Sequence, residues 1–597
     1  MKCKVTLAGM ALLLAGNSWA AGVPYYSVEE ISVSADGANY GPYPSAISED
    51  GAFIAAYSMK ASLSQDIDLG LPFTFNRPCQ YDTVMCELEF YGSETSSALS
   101  YNNAYQAWRN AQTDAQYGSY SSYMMGNTLS SGSDNGAVLP YDLGGYTTDV
   151  KVTDVFVSGA GDKIVIGYSS APYVGGERAF VRRAFIYNQT QNIVNSLLPD
   201  FDTDGGFSSA YRIKQVGDKI LVVGASSVSF PQDDDSNKEK DYFNSCYFSD
   251  EYDQVATLNE LVYCPGFDTQ AWAWDVTDYL TKTAEAGISG SALAAQWLDD
   301  NEDNNNSNIT YSASALDING SGIAVGVSTF EYTNTELGAR QRATIMPPNY
   351  AAPLRIKAAE QGISDPDDNL YNTWASAINE ANIVIGNREY SAVKSRNKPV
   401  EFFVYDISTG SISFPLLDKK VQTTAQRLSR ESSAKTGANS RAYDINESGF
   451  IVGKADGFDQ IEPVTGGAAR SQSAFLYDNN TGKSWFINDL ICSETDDVVT
   501  SPLYRIRSAR VINDNGTVLA EGWKYNSVFE YQNKVNGSEV MLKLTRNADV
   551  LSPDDSPNCW DAALFDNIDT PYERQGAASF WVWLFALPLL IVRRFIK

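Results

Sequence analysis

The sequence predicts an all-β chain folded as a β-propeller. Three observations carry this: a short phrase that recurs seven times, a second strand phrase that follows it, and a turn residue at matching places in the copies. The phrase reads small or apolar, Ile, Asn, two variable residues, Gly, three apolar residues, Gly. Clear copies are Asp317-Ile318-Asn319 with Gly322 and Gly326, Asp444-Ile445-Asn446 with Gly449 and Gly453, and Val511-Ile512-Asn513 with Gly516 and Gly522. Ala377-Ile378-Asn379 carries Asn382 where the first glycine sits, and Ala46-Ile47-Ser48 with Gly51 is an N-terminal copy. Weaker copies surround Gly161 and Gly217.

Each element of the phrase has a physical reading. Asn-x-x-Gly supplies a tight turn, because Gly and Asn tolerate positive φ. The run that follows, such as Ile323-Ala324-Val325 or Ile383-Val384-Ile385, is apolar and β-branched, as a buried strand requires. The second phrase, Phe402-Phe403-Val404-Tyr405 or Ala474-Phe475-Leu476-Tyr477, is another strand. It ends in an Asp-x-x-Thr-Gly hairpin at 406–410 and 478–482. Four strands per repeat make one propeller blade. The last four anchors, at 322, 382, 449 and 516, are spaced by 60, 67 and 67 residues, which suits a blade with modest loops. Six to eight blades fit, with seven the best count; a β-solenoid or two stacked sandwiches is the competing reading.

The ends carry addresses. Lys2 and Lys4, the apolar stretch 5–16 and Ser18-Trp19-Ala20 read as a secretory signal peptide cut after Ala20. The stretch 577–592 is sixteen uncharged residues followed by Arg593, Arg594 and Lys597, a C-terminal transmembrane helix with a basic end. Six cysteines remain after the signal: Cys79, Cys86, Cys246, Cys264, Cys492 and Cys559. An even count in an exported chain implies three disulfides, with 79–86, 246–264 and 492–559 favoured among fifteen connectivities. The domain plan is thus a signal at 1–20, a propeller at 21–570 with insertions near 79–131 and 231–264, and a terminal segment at 576–597.

Composition narrows the chemistry. Signal and tail hold five of the 44 Lys/Arg and none of the 73 Asp/Glu, so the body between them is strongly acidic and repels nucleic acid. The chain has no histidine, which removes Ser-His-Asp triads, histidine-ligated zinc and histidine general bases. No phosphate-cradling or dinucleotide motif is visible. No catalytic residue is assigned. Asp200, Asp202 and Asp204, in Asp200-Phe201-Asp202-Thr203-Asp204-Gly205, match the first half of a calcium loop, though Tyr211 stands where an EF-hand has Glu. Calcium is the one cofactor this suggests.

The phrase, followed by Ala474-Phe475-Leu476-Tyr477, resembles the HAF family of extracellular repeats over most of 40–545. Signal, repeats and tail together look like an uncharacterised exported bacterial family, one built on a domain of unknown function. The tail is similar to Gly-Gly type C-terminal sorting signals, with Gly576, Ala577, Ala578 and Ser579 where a Gly-Gly-Ser run stands in that type. That resemblance implies an intramembrane sorting protease as a partner; a permanent single-span anchor is the alternative. The expectation is an exported, membrane-tethered or surface-displayed binding or scaffold module for a protein or glycan. The rivals are a carboxylate-dependent polysaccharide hydrolase or lyase and an envelope assembly factor.

Overall fold

A computed structural model describes residues 23–31, 40–59, 120–125, 137–138, 150–169, 173–174, 177–178, 183–202, 206–229, 268–298, 311–331, 339–348, 352–362, 370–390, 400–415, 440–456, 472–491, 503–533 and 535–556. Among these the structure is all-β, with only short helical turns such as Ile487–Leu490 and Val528–Asn533. Six blades are four-stranded antiparallel sheets, each drawn from one stretch of chain. Their first strands are Tyr40–Ile47, Val150–Val157, Ser208–Val216, Ala313–Ile318, Leu370–Ile378 and Ser440–Ile445, in blades 1 to 6. A further four-stranded sheet joins both ends of the chain. Leu503–Ile512, Val518–Tyr525 and Ser538–Arg546 pair in sequence, and Tyr26–Ile31 adds against the last of them. Neighbouring first strands touch in a closed circuit, from blade 1 through blade 6 to this closing sheet and back. They therefore line the axis of a β-propeller.

The core lies between sheets. Ile164 and Ile186 of blade 2 pack on Ile213, Val222 and Trp274 of blade 3, and Ile385 and Phe402 of blade 5 pack on Ile451 and Phe475 of blade 6. Ile31, Val511 and Met541 of the closing sheet meet Ile47 and Ile54 of blade 1. A sheet covered on both faces needs continuous apolar strands rather than alternation. Lys163–Ser169 meets this with six consecutive buried residues. Ile164, Val165 and Ile166 among them each contribute about 1.5–3 kcal/mol of burial.

The turn residues behave as the sequence predicts. Gly51, Gly161, Gly217, Gly322, Asn382, Gly449 and Gly516 all have φ between 56 and 86°. Each closes the turn between first and second strands. These turns and the Asp406 and Asp478 hairpins share one end of the propeller. The connections between second and third strands, including 60–119 and 230–267, start and finish at the other end.

The last glycine of the phrase has a different cause. In every first strand one residue drops out of register: Ser45, Thr153, Tyr211, Leu316, Ser376, Tyr443 and Arg510. This β-bulge kinks the strand at the axis. It pushes a carbonyl over the second strand, so a Cβ on Gly326 would sit 2.0 Å from the Ser314 oxygen. Gly167, Gly224, Gly386 and Gly453 occupy the same place. Ala56 and Ala520 replace them in blade 1 and the closing sheet. Gly522, expected from the sequence to be the equivalent, instead faces Ile506 beside a second bulge at Arg507.

Ala20, the six cysteines and Gly576 to Ser579 lie outside the described residues, as does the whole segment expected to form the C-terminal helix. Among the described residues no helix is long and apolar enough to cross a membrane.

Gly326→Ala should cost about 2–4 kcal/mol, because backbone must move to relieve the overlap. Urea denaturation of the full chain measures it; an unchanged midpoint would refute the bulge explanation.

Candidate functional site

The repeat asparagine fastens one blade to the next. Asn319 Oδ1 accepts the Ile323 N–H at 3.0 Å and closes its own turn, while its Nδ2 reaches the Asn379 carbonyl of blade 5 at 3.4 Å. Asn379 does the same to Asn446, Asn446 to Asn513, and Asn513 closes the ring on Ser48 of blade 1 at 3.0 Å. A second ladder runs beside it. Gly320 donates to Glu380, Glu380 to Glu447, Glu447 to Asp514, and Asp514 to Glu49, each through its backbone N–H onto the next carboxylate. The phrase is thus a structural staple. Ser158 takes the asparagine's place in blade 2, where Asp162 donates its N–H to the hydroxyl. Ser48 does the same in blade 1, accepting the Phe53 N–H at 2.9 Å.

One residue upstream lies a column that the phrase conceals. The residue before the Ile is Ala46, Arg212, Asp317, Ala377, Asp444 or Val511, and Asp154 holds the same place before Val155. Asp154 accepts from Val155 N–H and from Ile213 N–H of blade 3, both at 2.9 Å. Asp317 accepts from Ile318 at 2.8 Å and Ile378 of blade 5 at 2.9 Å. Asp444 accepts from Ile445 at 3.0 Å and Ile512 of the closing sheet at 2.9 Å. The bulge interrupts the ladder at this level, and a buried amide without a partner costs about 1–3 kcal/mol. The neighbour's carboxylate supplies that partner.

Arg212 of blade 3 gathers all three acids. Its Nε donates to Asp317 Oδ1 at 2.8 Å, and its terminal nitrogens lie 3.7 Å from Asp154 and 3.6 Å from Asp444. Blade 6 is across the ring, so this side chain spans the axis. Burial opposes its charge, but Asp317, Asp154 and Asp444 outweigh that and hold it firmly protonated. Burial pushes the Asp154 carboxyl up to about 6 against the pull of Arg212. Asp444 is pushed up to about 7, again chiefly by burial, with Arg212 opposing and Asp317 reinforcing. Chemically the layer can store protons near neutrality, while both oxygens of each acid are already committed to backbone.

The other sequence candidates stand apart from this layer. Asp200 and Asp202 are exposed, between the last strand of blade 2 and the first of blade 3. The Asp200 N–H donates to Ser226 Oγ at 2.8 Å, and Gly206 takes φ 62°. Asp204 is outside the described residues, within which no group of three or more acidic or thiol side chains is placed to hold a metal. Trp274 is a core strand residue, its indole N–H on the Leu198 carbonyl. Asp406 and Asp478 make plain hairpins, each accepting from the Thr hydroxyl three residues on.

The family model for a protein of unknown function, DUF3466, matches residues 2–595. The chain belongs to the DUF3466 family. Comparison with curated proteins gives no match. Among solved structures it is similar to a puromycin-hydrolysing peptidase of Mycobacterium tuberculosis, at 11% identity over 84% of this chain and 62% of that one, with a TM-score of 0.29. A GH74 xyloglucanase from Xanthomonas campestris gives 10% identity, 64% and 45% coverage and a TM-score of 0.27. A glycoside hydrolase gives 9%, 69%, 92% and 0.26. This chain spans less than two thirds of the peptidase and of the xyloglucanase. At this distance the neighbours' substrates do not transfer to it.

The axial acids set a pH dependence of defined sign. The carboxyls of Asp154 and Asp444 hold protons more tightly when folded, at about 6 and about 7, than an ordinary carboxyl at 3.8. The native state therefore gains over the unfolded state as pH falls from 8 through 6, and the gain levels off near 4. Melting temperature should rise by a few degrees between pH 8 and 5, and the Asp154→Asn/Asp444→Asn pair should flatten that slope. A slope equal to wild type in the double variant would refute the assignment.

Proposed function

We propose that the protein is an exported, non-enzymatic binding or scaffold module, tethered at a membrane or displayed at the surface through 576–597. The observation that carries this reading is the commitment of the axial acids. Asp154, Asp317 and Asp444 each spend both oxygens on backbone N–H groups of two sheets, and Arg212 stands among all three. A general acid–base pair needs a carboxyl aimed at substrate. The end of the propeller at which the second strands finish and the third strands begin is then the binding face, presented by a ring of sheets. In this reading the closing sheet counts as a seventh blade.

One observation favours a second reading. Asp154 and Asp444 titrate near neutrality, as an acid catalyst acting on polysaccharide would. The test is one preparation of mature protein from its native envelope, weighed intact and then offered to a panel of polysaccharides. A mass ending near 576 supports release or display, and one ending at 597 supports a permanent anchor. Retention of a polysaccharide without new reducing or unsaturated ends supports the binding module. Product formation that Asp154→Asn or Asp444→Asn abolishes would overturn it in favour of the hydrolase or lyase.

A further inference from the structure

An asparagine followed by glycine is a chemically fragile step, because no Cβ hinders the glycine amide nitrogen from reaching the asparagine side chain. Three of the four Asn-Gly steps of the chain lie among the described residues: Asn319-Gly320, Asn515-Gly516 and Asn536-Gly537. Reaction needs two freedoms, an amide nitrogen not engaged as a donor and a side chain able to rotate towards it. The fold withholds both at two of the three steps.

Asn319 is fully buried. Its Oδ1 accepts from Ser321 and Ile323 at 3.1 and 3.0 Å, and its Nδ2 donates to Asn382 Oδ1 at 2.9 Å. The nitrogen that would attack it, on Gly320, donates to Glu380 Oε2 at 2.8 Å. Asn515 is exposed, but its Nδ2 donates to the Glu49 carbonyl at 2.6 Å, and the Gly516 N–H donates to the Asn513 carbonyl at 2.9 Å. Asn536 is held differently. It is exposed, with φ 57°, in the connection between the second and third strands of the closing sheet. Among the described residues its side chain makes one bond, from Nδ2 to Glu530 Oε1 at 3.2 Å, and nothing accepts the Gly537 N–H.

We propose that Asn536 is a self-modification site, converted in the folded chain to aspartate and to β-linked isoaspartate. The Gly537 nitrogen bonds to Asn536 Cγ and gives up its proton, the Cγ–Nδ2 bond breaks, and ammonia leaves with that proton. Water then opens the five-membered imide at either carbonyl. Either product puts a carboxylate where an N–H donor faced Glu530. Glu530 Oε2 accepts the Asn526 N–H at 3.1 Å and so ties down the short helical turn Val528–Asn533. Two like charges at this separation repel, so Glu530 swings away and frees that N–H. The other side of the turn stays fixed, because Arg505 donates to the Tyr531 carbonyl at 3.2 Å and lies 4.5 Å from its ring centre. The step adds a charge and loosens one loop at the end of the propeller that the binding reading uses, and it is independent of what binds there.

Peptide mapping by mass spectrometry tests it on the mature chain held folded in mildly alkaline buffer, beside the same chain unfolded in urea. Methyl transfer by an isoaspartyl methyltransferase identifies the β-linked product. Unfolded, the three steps share one local chemistry and should convert at comparable rates. Folded, Asn536 should convert about ten-fold faster than Asn515 or more, since each engaged donor must first be released, and Asn319 should wait for the ring itself to open. Equal folded rates at the three steps, or an Asn536 as slow as Asn319, would overturn the site. Asn536→Asp, one of the two products, should raise hydrogen exchange of the Asn526 amide several-fold, and Glu530→Gln added to it should cancel the rise. Unchanged exchange in Asn536→Asp would overturn the release of Glu530.

Discussion

The structure depends on how a ring of sheets satisfies the backbone that its own curvature exposes. A strand bent hard at the axis must break its ladder, and the buried amide so freed needs an acceptor. Asp154, Asp317 and Asp444 answer this from alternate blades, each bonding its own strand and the next. Beside the same kink the second strand carries glycine in five sheets, where a carbonyl of the first strand fills the space of a Cβ, and alanine in the other two, at Ala56 and Ala520. One bend therefore sets the acid column, the glycine column and the spacing between them.

The staples do not seal the circle evenly. The asparagine ladder runs unbroken from blade 4 to blade 1 through the closing sheet. Blades 2 and 3 share an apolar cluster that includes Trp272 and Trp274, and Thr153 and Asp154 of blade 2 bond to Ala210 and Ile213 of blade 3. Arg212 joins the two arcs by placing a blade 3 cation among acids from blades 2, 4 and 6. Burying three acids around one guanidinium is costly, and it is tolerated because each acid already holds two backbone donors.

The segments 24–25 and 547–556 meet at the end of the propeller that bears the short turns. The Tyr25 N–H donates to Ser556 Oγ at 3.3 Å, and Asn547 binds the Tyr25 and Pro24 carbonyls. Asp554 adds bonds to Lys483 and Trp485 of blade 6.

The repeat phrase determined the all-β class, the blade as the unit and seven turn positions, because turn chemistry and strand patterning are local. It also marked the asparagine column, although its role as a bridge between blades is invisible in one copy. Sequence could not pick out Arg212 or the three acids among 44 basic and 73 acidic residues. Alignment of the copies on the Ile brings out Arg212, Asp317 and Asp444, while Asp154, before Val155, is placed only by the bulge at Thr153. Closure was decided by tertiary structure alone. Asn513 and Ser48 bond across 465 residues of chain, and Ile47 packs with Val511 only because the ring returns to its start. Such contacts follow from the accumulated rotation of every blade, a quantity that no local stretch of sequence contains.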